Sequence, residues 1–120
     1  MPRYIDGYVL PLPKKNLAAY RKMAAHAGKL WKKHGALAYC ESVGDDMMTK
    51  FCPGFPVVMK PKAGETIVFA FVVFKSRAHR DRVNAKVMGD PKLMDGFDAK
   101  KMPFDCTRMV YSGFKTLVDL

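Results

Sequence analysis

The side chains able to do chemistry are few and scattered: Asp6, Trp31, His34, His79, Asn84, Arg108 and Tyr111. Each is a polar group set in an otherwise apolar element. His34 falls on the apolar side of one helical wheel, and His79 in the first turn of a second helix. Both are candidate general bases, because imidazole titrates close to neutral pH. Asn84 or Arg108 would orient an anionic or carbonyl substrate, while Asp6, Trp31 and Tyr111 would complete a binding pocket. A plainer reading stands beside each. Asp6 is then an edge-strand carboxylate, solvated or paired with a basic neighbour. His34 is a core-edge imidazole bonded to backbone, and His79 an exposed first-turn residue. Asp45-Asp46 has no further acid or histidine at ligand spacing and reads as a turn cap. No nucleotide-binding loop, metal motif or activated nucleophile is present, so no cofactor and no metal are expected. Any turnover would be cofactor-free proton or oxygen chemistry.

A second kind of chemistry is carried by charge. The chain has a formal net charge of +10. Lys14, Lys15, Arg21, Lys22, Lys29, Lys32 and Lys33 cluster on an arc of roughly 120° of one helix, with no acidic residue among them. Arg21, Lys22, Lys29, Lys32 and Lys33 are the candidates for tracking the phosphates of RNA or another polyanion. The aromatics that single-strand binders interleave with such charges are missing, since Tyr20 and Trp31 point to the core side. The competing reading is a solubilising outer face.

Composition bounds the rest. A chain of 120 residues is one domain, long enough to bury roughly two thirds of the surface it exposes when unfolded. No apolar run approaches the roughly 18 residues of a membrane span. The opening Met1-Pro2-Arg3-Tyr4-Ile5-Asp6 has no apolar core and no cleavage site, so no secretory signal is expected. Cys40, Cys52 and Cys106 are an odd number without a paired motif, which fits reduced thiols in a cytoplasm.

The elements that must position these residues centre on Thr66-Ile-Val-Phe-Ala-Phe-Val-Val-Phe74, nine residues without charge or turn former. Their β-branched and aromatic content predicts a strand with two apolar faces. An earlier strand is predicted over Tyr4–Leu10, stopped by Pro11 and Pro13. It places Tyr4, Asp6, Tyr8 and Leu10 on one side. A helix is predicted from Lys14 or Lys15 to His34, with Gly35 as a left-handed stop. Leu37–Val43 reads as a strand, and residues 47–64, with three prolines and two glycines, as a long irregular excursion or lid. Ser76 caps a helix running to Met88, Lys92–Pro103 is loop, and Arg108–Phe114 is the last strand. The apolar tail Leu117–Leu120 is expected to dock.

The order strand, helix, strand, then strand, helix, strand predicts an α+β fold: a ferredoxin-like split βαβ sandwich with a four-stranded antiparallel sheet and two helices on one face. The two strands that each precede a helix are expected at the centre, parallel to each other. The opposite sheet face has no cover. Leaving its large apolar side chains in water would forfeit about 1.5–3 kcal/mol each. A second copy laid sheet to sheet removes that cost, so a homodimer is expected.

Tyr4-Ile5-Asp6-Gly7-Tyr8-Val9-Leu10-Pro11, Trp31…His34-Gly35-Ala36-Leu37, the long Ser76–Met88 segment and Met102-Pro103-Phe104-Asp105 together resemble the bacterial domain of unknown function 1428, or YbaA-like, family. The resemblance runs from Tyr4 to the C-terminus. It implies a dimeric α/β barrel of the ferredoxin-like kind and brings no established activity. Three readings follow: a small-molecule site between helices and sheet, RNA or polyanion binding on the basic helix, and a dimeric module without catalysis.

Overall fold

The computed structural model describes residues 2–120. Its elements are β1 (Tyr4–Pro13), α1 (Leu17–Lys33), β2 (Ala38–Val43), α2 (Phe55–Met59), β3 (Glu65–Phe74), α3 (Arg77–Met88) and β4 (Val110–Lys115). Short 3-10 turns at Lys14–Asn16 and Cys106–Arg108 lead into α1 and β4. Together they form an α+β slab with principal extents of 38 × 38 × 20 Å.

The four strands make one open sheet in the order β2-β3-β1-β4, every neighbouring pair antiparallel. β1 and β3 are central, as expected, but antiparallel rather than parallel. The connections explain why. The β1-α1-β2 crossover skips one position, which β3 fills, and the turn from β2 to β3 reverses direction. β3 therefore runs against both strands of the first crossover.

β1 continues through both prolines that were expected to stop it. Its pairing with β4 ends at Val9, so Pro11 and Pro13 have an unpaired edge beside them. That edge is where a missing N–H is tolerated in a strand.

Local signals hold the helices. Gly35 takes φ +115° behind α1, a conformation open to glycine at little cost. Ser76 caps α3 by accepting the His79 backbone N–H at 3.1 Å. Between them α1 and α3 bury Leu10, Leu12, Val68, Val72 and Phe74 on one sheet face.

The other face is partly covered, where none was expected. The 47–64 excursion contains α2, whose Phe55 ring meets Phe69 edge-on at 6.2 Å. Beneath the excursion Ile67 is buried. Phe69, Val110 and Phe114 remain 44–58% exposed on that face. The C-terminal tail is held by polar contacts, and its apolar side chains do not dock as expected. Thr116 donates its N–H to the Arg3 carbonyl, Asp119 pairs with Arg3, and Leu117, Val118 and Leu120 point into solvent.

Candidate functional site

Strand register builds the site. On the helix-covered face, Glu41, Ala70, Tyr8 and Tyr111 lie in one row across β2, β3, β1 and β4. Tyr39, Val72, Asp6 and Gly113 form the next row. The central strand thus offers only Ala70 and Val72, flanked by long polar or aromatic side chains. A floor of that shape is hollow in the middle. α1 roofs it with the small residues Ala24 and Ala27 and with the rings of Tyr20 and Trp31. The result is a cavity of about 410 Å³, with Asn84 of α3 and Phe104 of the last loop closing its ends.

Gly28 sets how closely α1 can approach. A Cβ at this position would lie 2.6 Å from the Tyr39 ring. Only glycine allows the helix and that ring to meet as they do.

Two polar clusters serve the cavity. The first is centred on Asp6, a wholly buried carboxylate. It accepts hydrogen bonds from Arg80 Nη1 and Asn84 Nδ2, each at 3.2 Å, and from the Tyr111 hydroxyl at 3.0 Å. Asn84 in turn accepts from Trp31 Nε1 at 3.0 Å. Arg80 also donates to the Tyr111 oxygen at 2.6 Å, and its guanidinium stands 4.9 Å from the centre of the Tyr4 ring. Arg80 Nε lies 2.9 Å from Asp81, without the alignment of a hydrogen bond. Asp6 was read as an edge carboxylate, solvated or paired. It is paired, but in the interior, because β1 gains neighbours on both edges.

The second cluster is centred on Glu41. The Tyr20 and Tyr39 hydroxyls each donate to one of its oxygens. Burial, reinforced by hydrogen bonds to Glu41, pushes both phenols well above their ordinary range. Burial likewise raises Tyr8, ahead of the nearby Asp6 charge. Tyr111 is raised for the same leading reason. All four phenols hold their protons at physiological pH. The Tyr8 ring stacks on Tyr111 at 4.6 Å, and its hydroxyl makes no hydrogen bond among the described residues.

Of the residues singled out from sequence, Trp31, Asn84 and Tyr111 line this cavity and Asp6 supports it from below. The other three lie elsewhere. His34 closes α1 and bonds Asp90 at 2.8 Å, a contact that holds the Asp90 carboxyl below the usual range. His79 accepts the Lys75 backbone N–H on Nδ1 at 3.0 Å and packs edge-on against Phe74. Arg108 forms a two-pronged pair with Glu65, at 2.7 and 2.9 Å, which fastens the last loop to the start of β3. Arg21, Lys22, Lys29, Lys32 and Lys33 are exposed along α1. Lys32 caps the Leu37 carbonyl at 2.9 Å, and Lys33 stands 3.8 Å from Asp90.

Sequence reasoning missed Tyr8, Tyr20, Tyr39, Glu41 and Arg80. One signal was available. The chain has five tyrosines and one tryptophan, and all six serve this site, with Tyr4 under Arg80 and the other five in the cavity wall.

Among the described residues no group of three or more His, Cys, Asp or Glu side chains is placed to hold a metal ion. The three cysteines are free thiols. Among the described residues no helix is long and apolar enough to cross a membrane.

Comparison with known proteins agrees with the sequence resemblance. A family model described as "Protein of unknown function (DUF1428)" matches residues 3–106. The chain is 36% identical over 117 residues to the uncharacterized protein YbaA of Escherichia coli K12, covering 98% of each chain. The uncharacterized YbaA of Shigella flexneri matches at the same identity and coverage. The chain belongs to the DUF1428 family, whose curated relatives YbaA are uncharacterized.

Proposed function

We propose that the protein binds a small organic molecule in the cavity between α1 and the sheet. The single observation behind this reading is the cavity itself: about 410 Å³, walled mainly by apolar and aromatic groups with a few convergent polar ones. Ligand sites have that size and lining. A protein core, by contrast, packs to near-crystalline density and leaves few voids larger than a water molecule. The free Tyr8 hydroxyl supplies an unused donor at the wall. Binding without turnover is favoured over catalysis, since the lining phenols keep their protons and none of the three histidines lines the cavity.

The proposal includes assembly. The strand order and interleaved crossovers fit a ferredoxin-like subunit. The exposed Phe69, Val110 and Phe114 fit pairing of two subunits through the open sheet face, as in a dimeric α/β barrel.

Trp31, the only tryptophan, reports on the cavity directly. A set of small aromatic fragments screened by Trp31 fluorescence should yield saturable quenching. Ala27→Phe, which fills the cavity from α1, should weaken any such binder at least about tenfold, the loss of roughly 1.4 kcal/mol of contacts. Quenching that survives Ala27→Phe unchanged, or no binder at all, would defeat the reading.

A further inference from the structure

The two carboxylates of the site differ in their company. Asp6 has a cation: Arg80 Nη1 lies 3.2 Å away, and the pair is nearly sealed from solvent. Glu41 has none. Among the described residues no lysine, arginine or histidine nitrogen comes within 4.0 Å of it, and its only side-chain partners are the Tyr20 and Tyr39 hydroxyls. Asp45, Asp46, Asp95, Asp98 and Asp105 also lack a cation, but all five are exposed; among the described residues Glu41 is the one unpaired carboxylate that is partly buried. The lysines of α1 are exposed, and Arg21 borders the neighbouring groove that Glu41 also lines but stays beyond 4.0 Å of the carboxylate, while Glu41 also faces the cavity.

Around Glu41 the cavity wall is aromatic. Tyr39 and Trp31 meet at 6.0 Å between ring centres, Tyr8 and Tyr111 stack on the opposite side, and Tyr20 closes the roof. Aromatic faces carry negative potential and attract cations, more strongly where water is excluded. The Tyr20 and Tyr39 phenols stay neutral and donate to Glu41, so the carboxylate is the one formal charge on this side of the cavity.

We infer that the cavity selects an organic cation, a substituted ammonium whose charge sits among the rings of Tyr8, Trp31 and Tyr39 with Glu41 as its counter-ion. This deepens the proposed function and rests on it, since it requires that the cavity bind a small molecule. Glu41 leaves lone pairs free after accepting two phenolic protons, so an ammonium hydrogen has an acceptor. A quaternary ammonium is held by charge and ring faces alone. An anion of the same size meets an uncompensated carboxylate and is rejected.

The test uses three probes of one shape: phenyltrimethylammonium, its neutral isostere tert-butylbenzene, and benzenesulfonate, each titrated against the full-length protein by Trp31 fluorescence. The ammonium should bind at least roughly tenfold tighter than the neutral isostere, the range of a desolvated cation among aromatic rings. Benzenesulfonate should be weakest. In Glu41→Gln the ratio of ammonium to neutral affinity should fall to within about threefold. Equal or tighter binding of the neutral probe, or of the sulfonate, would overturn the cation assignment and leave the cavity standing as a binding site. An undiminished ratio in Glu41→Gln would remove Glu41 as counter-ion. If none of the three quenches Trp31, the cavity reading falls as well. Should Glu41→Gln fail to fold, the ranking of the three probes on the unaltered protein decides alone.

Discussion

The two faces of the sheet reverse the usual distribution of polarity. The face covered by α1 and α3 carries Asp6, Glu41, Tyr8, Tyr39 and Tyr111. The face with least cover carries Phe69, Val110 and Phe114. Folding alone would favour the opposite arrangement, with apolar groups inside and charges in water. Each face is therefore informative by its departure. Polar groups inside, hydrogen-bonded apart from the Tyr8 hydroxyl and Arg80 Nε, fit the proposed binding site. Apolar groups outside fit the proposed pairing of two subunits. Neighbouring residues on one strand serve both ends, as Tyr8 and Val9 do, because side chains alternate across a pleated strand.

The largest way to break the contrast is at Asp6. Asp6→Leu removes the buried partner of Arg80 and should cost about 3–5 kcal/mol of stability, measured by chemical denaturation. The double variant Asp6→Leu with Arg80→Leu should recover much of that loss, because no unpaired buried charge remains. Recovery would sharpen the view that the cluster specifies a site rather than holds the fold. Equal losses in the single and double variants would count against it.

On the outer face, Phe69→Asp or Phe114→Asp should raise the dimer dissociation constant on the order of 30-fold or more, the effect of losing one interface hot spot. Light scattering during size-exclusion chromatography reads this directly. An unaltered protein that is already a monomer would end the pairing proposal. Neither substitution should change binding in the cavity, which lies on the opposite side of the sheet.

The smallest effect expected is a slope with pH. Burial, then the charges of Lys75, Arg82 and Lys86, hold the His79 imidazole below its ordinary pKa. Its Nδ1 accepts a backbone N–H, which only the neutral ring can do. Just below the unfolded value of about 6.5, the unfolded chain binds a proton that the folded one does not, so stability rises with pH through that window and levels above it. His79→Gln should flatten the rise in thermal stability between about pH 5 and 7. An unaltered slope would assign the pH dependence elsewhere.

The elements were readable in the chain because their causes are local. The apolar run at Thr66–Phe74, the left-handed Gly35 and the Ser76 cap each act within a few residues. The site was less readable because its causes are not. That Asp6 is interior depends on β1 acquiring β3 on one edge and β4 on the other, where its partners Val72 and Gly113 are distant along the chain. Alternation within Leu37–Val43 puts Tyr39 and Glu41 on one face, yet only pairing with β3 decides that this face meets α1. Arg108 and His34 looked available because their partners, Glu65 and Asp90, are distant in sequence. The expected parallel arrangement of β1 and β3 failed for a topological reason: a crossover that skips a strand leaves the two strands it joins parallel and the strand between them antiparallel to both.

The slab shape has a consequence for traffic. A body 38 Å across and 20 Å thick is two layers deep, one of strands and one of helices. Two such slabs joined strand layer to strand layer would form a nearly cubic particle about 40 Å thick, twice the extent of one. The helix layers, and with them the two cavities, would become its opposite outer walls. Each cavity would fill and empty through its own door to solvent, with two full sheets between one occupant and the other.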